Sequence, residues 1–245
     1  MAATVWTAPQ NPDPSSILHS AVDDKRDGRY EQSLAKFLWF HNNALQYERG
    51  LSAVRLSFAL SYWLDLATVY PPARDAFIRT RDETEQAFRK NPSEFDLFHD
   101  AASMNDRVGD GIRTADLFAT IAAIDQGNAQ SIYQIAEPYL IAAGRFHACA
   151  PFLEPKRRIE LAARCYRISK QHEESRPDRG FHVPKLARTH YIRNVATLVG
   201  LLALNDRVDD ARTAYSDALA IIDDDEFRTI MDAAMSGHLP ESRPR

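Results

Sequence analysis

The stretch from Val195 to Leu219 constrains this chain more than any other. An apolar run, Val195 to Leu204, meets the polar turn Asn205-Asp206-Arg207. A second pattern then places Ala211, Tyr215, Ala218 and Leu219 at 0, +4, +7 and +8. That spacing puts all four on one face of a 3.6-residue helix. Two small residues let a partner helix approach closely, and one aromatic fills the gap. The segment predicts two antiparallel helices joined by a tight turn, so the chain must bury helix faces pairwise.

The same punctuation recurs along the chain. Asp13-Pro14 reads as a helix start, with proline inside the first turn. A helix to about Asp27 is expected there, then the turn Asp27-Gly28-Arg29-Tyr30 and a helix from Glu31 to about Tyr47. The nearly all-apolar run Leu51–Val69 predicts one continuous helix. Tyr70-Pro71-Pro72 stops it and starts the next, Ala73–Lys90. Asn91-Pro92-Ser93 ends that hairpin and is expected to cap the following helix, which runs to about Asp106. Gly109-Asp110-Gly111 turns the chain into Ile112–Asp125. Asn128 opens another pair that turns at Gly144-Arg145-Phe146. Pro155–Gln171 reads as an extra helix, followed by a polar loop to Pro184. Asp223-Asp224-Asp225-Glu226 opens a short terminal helix with its acids where a helix N-terminus favours them.

The words Gly28-Arg29-Tyr30 with Ser33 and Phe37, the turn Gly144-Arg145-Phe146 with Tyr133 before it, and the Val195–Leu219 hairpin resemble the tetratricopeptide repeat (TPR). Gly109 and Gly144 stand 35 residues apart, close to the roughly 34-residue period of that family. Phe40 stands where the family usually has alanine. The resemblance implies an all-α, TPR-like α-solenoid of about five antiparallel helical hairpins, with one extra helix and a C-terminal capping helix. Residues 1–12 are expected to form a flexible arm, 13–236 a single repeat domain with its extra helix and loop at about 155–184, and 237–245 a disordered tail. Such repeats build binding scaffolds and rarely enzymes. In them the first helix of each pair lines the groove that meets the ligand, which points to Arg55, Tyr62, Asp65, Gln134, Arg193 and Thr197. The lysine and asparagine set of a carboxylate-clamp TPR is not seen.

Composition narrows the options. Hydrophobic residues make up 44% and charged residues 26% of the 245, which favours a folded chain over a disordered one. A net charge of −4 speaks against nucleic-acid binding by bulk electrostatics. Cys149 and Cys165 form no disulfide framework or metal knuckle and read as small hydrophobes in helices, which suits a reducing cytoplasm. The N-terminus lacks the basic start and apolar core of a signal peptide. No run has the roughly 18 apolar residues of a membrane span.

Catalytic motifs are sparse. Glycine-rich phosphate loops, His-Glu-x-x-His and Gly-x-Ser-x-Gly are all lacking. Arg167 stands five residues before His172 and resembles the Arg-x4-6-His motif of HEPN ribonucleases; Arg176 to His182 fits more loosely. His182 and His190 lack a third ligand at metal spacing. His99-Asp100 reads as an exposed helical pair.

Charge placement carries more. From Lys156 to Arg193 there are eleven basic residues against four acids, while Asp206 to Asp232 is strongly acidic. Two readings stand: a docking face for a charged partner, or the basic helix packing on the acidic last repeat within the chain. The expectation is a non-enzymatic, cofactor-free cytoplasmic scaffold that binds another protein, as an immunity or inhibitor protein or as an assembly adaptor. Asp209, Asp210 and Asp217 are candidate contacts alongside the groove residues above. The alternative is a HEPN-like ribonuclease using Arg167 and His172, or nucleic-acid binding through 156–193.

Overall fold

Helix junctions in this protein repeat one backbone device. In the computed structural model Gly28, Gly109, Gly144 and Asp206 have φ of 79°, 73°, 68° and 58°. Each sits just after a helix, and the same two hydrogen bonds surround it. The N–H of the left-handed residue reaches back three residues: Gly28 to Lys25, Gly109 to Asp106, Gly144 to Ile141, Asp206 to Ala203. The next N–H reaches back five: Arg29 to Asp24, Asp110 to Asn105, Arg145 to Leu140, Arg207 to Leu202. This is the Schellman stop, which satisfies the last helical carbonyls and reverses the chain. Gly237, at φ 82°, ends the last helix in the same way.

The structure describes residues 6–175 and 186–240, and they are all-α. Thirteen α-helices occur among them: α1 (Pro14–Arg26), α2 (Tyr30–Tyr47), α3 (Ser52–Arg55), α4 (Phe58–Ala67), α5 (Pro71–Lys90), α6 (Phe95–Arg107), α7 (Gly111–Ala122), α8 (Gln126–Ala142), α9 (Phe146–Cys149), α10 (Pro155–Glu174), α11 (Leu186–Leu204), α12 (Val208–Leu219) and α13 (Asp225–Met235). Successive helices pack in pairs, as in α1 with α2, α4 with α5, α6 with α7 and α11 with α12. The chain divides into two compact units, Met1–Ala136 and Glu137–Arg245. The division falls inside α8, beside Pro138, a residue that removes a helical N–H.

In the first unit, Ala21 on α1 and Ala44 on α2 are fully buried, and the Ser33 hydroxyl donates to the Ala21 carbonyl at 2.7 Å. Small side chains therefore bring α1 and α2 together. Phe37, Phe40, Trp63 and Phe77 fill the space beyond, with Trp63 donating to the Ala73 carbonyl at 2.9 Å. Phe40 is wholly buried in this core. A polar network joins α5, α6 and α7. Arg113 bonds both oxygens of Glu85 (3.1 and 2.7 Å), and Asn105 reaches Glu85 and Thr114. In the second unit α11 is the central helix, packed by α10, α12 and α13. Its Tyr191 donates to the Ala218 carbonyl at 3.1 Å. Arg207 donates to the carbonyls of Ala150 and Leu153, both at 3.2 Å, tying the α11–α12 turn to the segment before α10.

Several sequence expectations need correction. The continuous helix 51–69 is broken into a 3-10 turn, α3 and α4. Ser57 (φ −124°, ψ −87°) leaves helical geometry, and its hydroxyl donates to the Ala53 carbonyl, competing with the helix for that acceptor. The helix expected after Gly144 is only the four residues of α9 and a 3-10 turn. Pro155 favours extended backbone at Glu154 (φ −109°, ψ 83°) and prevents continuation. Ser93 does not cap α6; its hydroxyl donates to the Asn91 side chain. Cys149 is buried, but Cys165 is exposed on α10. Trp6 of the N-terminal arm is half-buried and edge-on to Trp39, 6.3 Å between centroids. Beyond α13, Leu239 covers Gly200, where an added Cβ would lie 2.5 Å from it. Residues 1–5, 176–185 and 241–245 lie outside the described residues, and with them most of the polar loop and the Arg176–His182 pair.

The stop motif makes a two-sided prediction. A residue with a Cβ in the left-handed region costs roughly 1–2 kcal/mol, less for aspartate. Asp206→Gly should therefore stabilise the protein by about 0.5–1 kcal/mol. Gly109→Val, whose Cβ would meet nothing within 4 Å, should destabilise it by about 1–2 kcal/mol through the backbone alone. Urea unfolding followed by circular dichroism measures both; equal effects at the two sites would refute the account.

Candidate partner-binding groove

Helix α10 starts at Pro155 and carries Lys156, Glu160, Arg164 and Arg167 at steps of four, four and three. That periodicity keeps the four on one stripe. Ile159 and Ala163, buried beside the stripe, face the rest of the second unit. Helix α12 carries Asp210, Thr213, Ala214 and Asp217 at similar steps, with Ile221 just beyond its end. The packing of α10 against α11 and α12 leaves these two stripes facing each other across a cavity of about 610 Å³. Its floor is apolar, formed by Ile159, Ala163, Ala214 and Ile221, and its walls are charged with opposite bias.

No ion pair spans the groove among the described residues. Lys156, Arg164, Arg167 and Asp217 belong to none there, and Asp210 pairs only with Arg207, the residue just before α12, at 2.6 Å. Arg167 donates to the Ala163 carbonyl one turn back at 3.2 Å. Burial, with smaller contributions from Tyr166 and then Asp217, pushes the Tyr191 phenol up to about 12. The basic and acidic segments do meet elsewhere: Arg188 holds Asp224 at 2.9 Å and Glu226 at 3.0 Å. Arg158 makes a bidentate pair with Glu137. The basic helix α10 thus packs on α11 and the acidic α12 through its apolar face and leaves a charged stripe on each side of the cavity.

The anticipated residues distribute unevenly. Asp210 and Asp217 line the groove, whereas Asp209 stands outside it, almost fully exposed and 3.5 Å from Arg212. Arg193 and Thr197 are half-buried on α11 and do not line it. In the first unit, the break at Leu56-Ser57 removes Arg55 from the face it was expected to share with Tyr62 and Asp65. Arg55 is only 6% exposed, donates to the His41 carbonyl at 3.2 Å and pairs with Asp100. The expected exposure of Asp100 is corrected by the same contact. Asp65 instead pairs with Lys25 at the surface. Tyr62 is 40% exposed and stacks on Phe58, itself 62% exposed, at 6.5 Å. Gln134 is exposed on α8. What the sequence reading missed was Lys156, Arg164 and Arg167 as one wall; their spacing of eight and then three residues, which returns to one helix face, was the available signal.

Arg167 and His172 share the continuous helix α10. Five residues at about 100° each place them roughly 140° apart around its axis, and only Arg167 reaches the groove. Among the described residues no three His, Cys, Asp or Glu side chains gather as a metal ion needs, and no helix is long and apolar enough to cross a membrane. The fold and the groove thus describe an all-α protein of paired helices with a charged cleft in its second unit. Comparison with protein-family models, with curated proteins and with solved structures finds no match.

Beside Arg55 lies His41, which is 7% exposed and has no hydrogen-bond partner for Nδ1. Burial, and then the Arg55 charge, lowers its pKa to about 3. The unfolded chain, with an ordinary imidazole near 6.5, then binds more protons than the folded one between those values. Stability contributed by neutral His41 is present above about pH 6.5 and is lost as pH falls toward 3, by up to about 1.4 kcal/mol per pH unit. Asp100, raised chiefly by burial, acts in the opposite direction in the carboxylate range. His41→Gln should flatten the decline between about pH 6.5 and 5; urea midpoints that fall equally in both proteins would contradict this.

The Arg55–Asp100 pair predicts a second pattern. Arg55→Met should destabilise by about 3–5 kcal/mol, because it strands a largely buried carboxylate. Adding Asp100→Leu should recover most of that loss. Asp65→Ala, at an exposed pair, should cost no more than about 1 kcal/mol. Additive losses in the double variant would show that packing, not charge, governs the site.

Proposed function

We propose that this chain is a non-enzymatic, TPR-like α-solenoid scaffold that binds another protein through a preformed surface. The observation that carries the reading is the α10–α12 groove. Its floor is apolar, and several of its wall charges have no ion-pair partner among the described residues. Charges held on rigid helices at an open cleft steer an oppositely charged partner and select it by sign. The shared stop motif at four junctions supports the repeat architecture. Recognition by such a surface is stoichiometric, which suits an inhibitor or immunity protein, or an adaptor in an assembly.

A nucleic acid is the weaker candidate for this groove. A polyanion meeting Lys156, Arg164 and Arg167 would also meet Glu160, Asp210 and Asp217. The ribonuclease reading needs Arg167 and His172 at one phosphate, against their divergence around α10.

The tagged full-length chain, incubated with nuclease-treated native lysate, should retain one protein in stoichiometric amount by quantitative mass spectrometry. Asp210→Lys/Asp217→Lys should weaken that retention at least about tenfold, while Asp209→Lys, outside the groove, should change it little. Retention of nothing but nucleic acid, with affinity falling steeply as salt rises, would overturn the proposal.

A further inference from the structure

We infer that the occupant of the α10–α12 groove is an amphipathic helix of the partner protein, with acids along one edge and bases along the other. The inference rests on the proposed protein-binding role and adds the partner's chemistry. Three features of the groove carry it.

The first is sign. One wall is cationic on balance, presenting Lys156, Arg164 and Arg167 around Glu160, and the other presents Asp210 and Asp217. A ligand of uniform charge gains at one wall and is repelled at the other, and like-charge contacts are strongly unfavourable. A ligand with two oppositely charged edges gains at both. Asp217 and the three cations have no ion-pair partner among the described residues, so pairing with them displaces no existing bridge there.

The second is backbone chemistry. The walls are helices, whose backbone groups beyond the first turn of α10 are already bonded within each helix. An extended peptide would lay unpaired N–H and C=O groups along an apolar floor, at the cost of an unmade hydrogen bond for each. A helix satisfies its own backbone and needs only a side-chain surface, the helix-in-groove mode.

The third is spacing. Lys156 to Arg167 is eleven residues, a rise of about 16 Å, or three helical turns. Arg164 and Arg167 are one turn apart, so they match acids at i and i+3 or i+4 on a facing helix. Ala163 and Ala214 on the floor are small enough to admit a helix carrying larger apolar residues.

The test is a displayed library of helical peptides about four turns long, with a fixed Leu/Ala stripe and edge positions drawn from Glu, Lys and Gln. It is selected against the full-length protein and against two charge-reversed variants, Arg164→Glu/Arg167→Glu and Asp210→Lys/Asp217→Lys. All four positions are exposed on helix surfaces, and circular dichroism melts verify folding. The wild type should enrich peptides with Glu on one edge and Lys on the other. The first variant should convert the Glu edge to Lys, the second the Lys edge to Glu. Each should bind the wild-type winner on the order of tenfold or more weakly. Enrichment of single-sign peptides, or edge preferences that ignore both reversals, would overturn the inference. So would no enrichment over all-Gln peptides. If lysate capture still returns a partner in those cases, the protein-binding reading survives; if it does not, both fail. A self-association seen by sedimentation and abolished by Asp217→Lys would identify a second copy as occupant, and would also overturn the inference.

Discussion

The close approach of neighbouring helices is the constraint on which the rest of the structure depends. It needs two things at once: a chain reversal that leaves no helical carbonyl unpaired, and small side chains where backbones meet. The Schellman stop supplies the first at Gly28, Gly109, Gly144 and Asp206. Ala21 with Ser33 supplies the second in the first unit, and Ala211, Ala214 and Ala218 in the second. The large aromatics then occupy fixed places, because their sites are defined by where the backbones cannot come closer. Phe40, Trp63 and Phe227 are buried for this reason.

The two units handle charge differently. In the first, charged side chains are drawn inward and paired: Arg55 with Asp100, Lys36 with Asp24, Arg113 with Glu85. Buried pairs of this kind add little net stability but are costly to break, so they enforce one arrangement of helices. In the second unit the stripe on α10 and the aspartates of α12 stay exposed on either side of a cleft. Apart from the local Asp210–Arg207 and Asp209–Arg212 pairs, these charges have no ion-pair partner among the described residues.

Much of the fold was legible because turns are local. A glycine or aspartate after an apolar helix, with a polar residue next, encodes its stop within six residues. The start of α1 at Asp13-Pro14 is equally local: Asp13 accepts from Ser15 at 3.1 Å. So is the acidic opening of α13, where Asp224 accepts from Phe227 at 2.9 Å. The break between α3 and α4 was not legible. Apolar periodicity through 51–69 is compatible with one helix, and Arg55 turns inward only because His41 and Asp100 are waiting for it, the latter 45 residues away.

The groove divides along the same line. Sequence by itself determined that Pro155–Gln171 is a helix in a basic segment, that the helix after Asp206 lies in an acidic one, and that the chain is all-α with paired helices. Those are properties of periods and caps, which operate over one or two turns. Only the tertiary structure decided that the two charged stripes face each other across an apolar floor, that Asp209 is left out, and that Arg188 instead of α10 neutralises Asp224 and Glu226. Those outcomes depend on the rotation of each helix about its axis as it packs on α11. A rotation of one residue, about 100°, moves a side chain from groove to solvent, and it is set by contacts between residues some 50 positions apart in the chain.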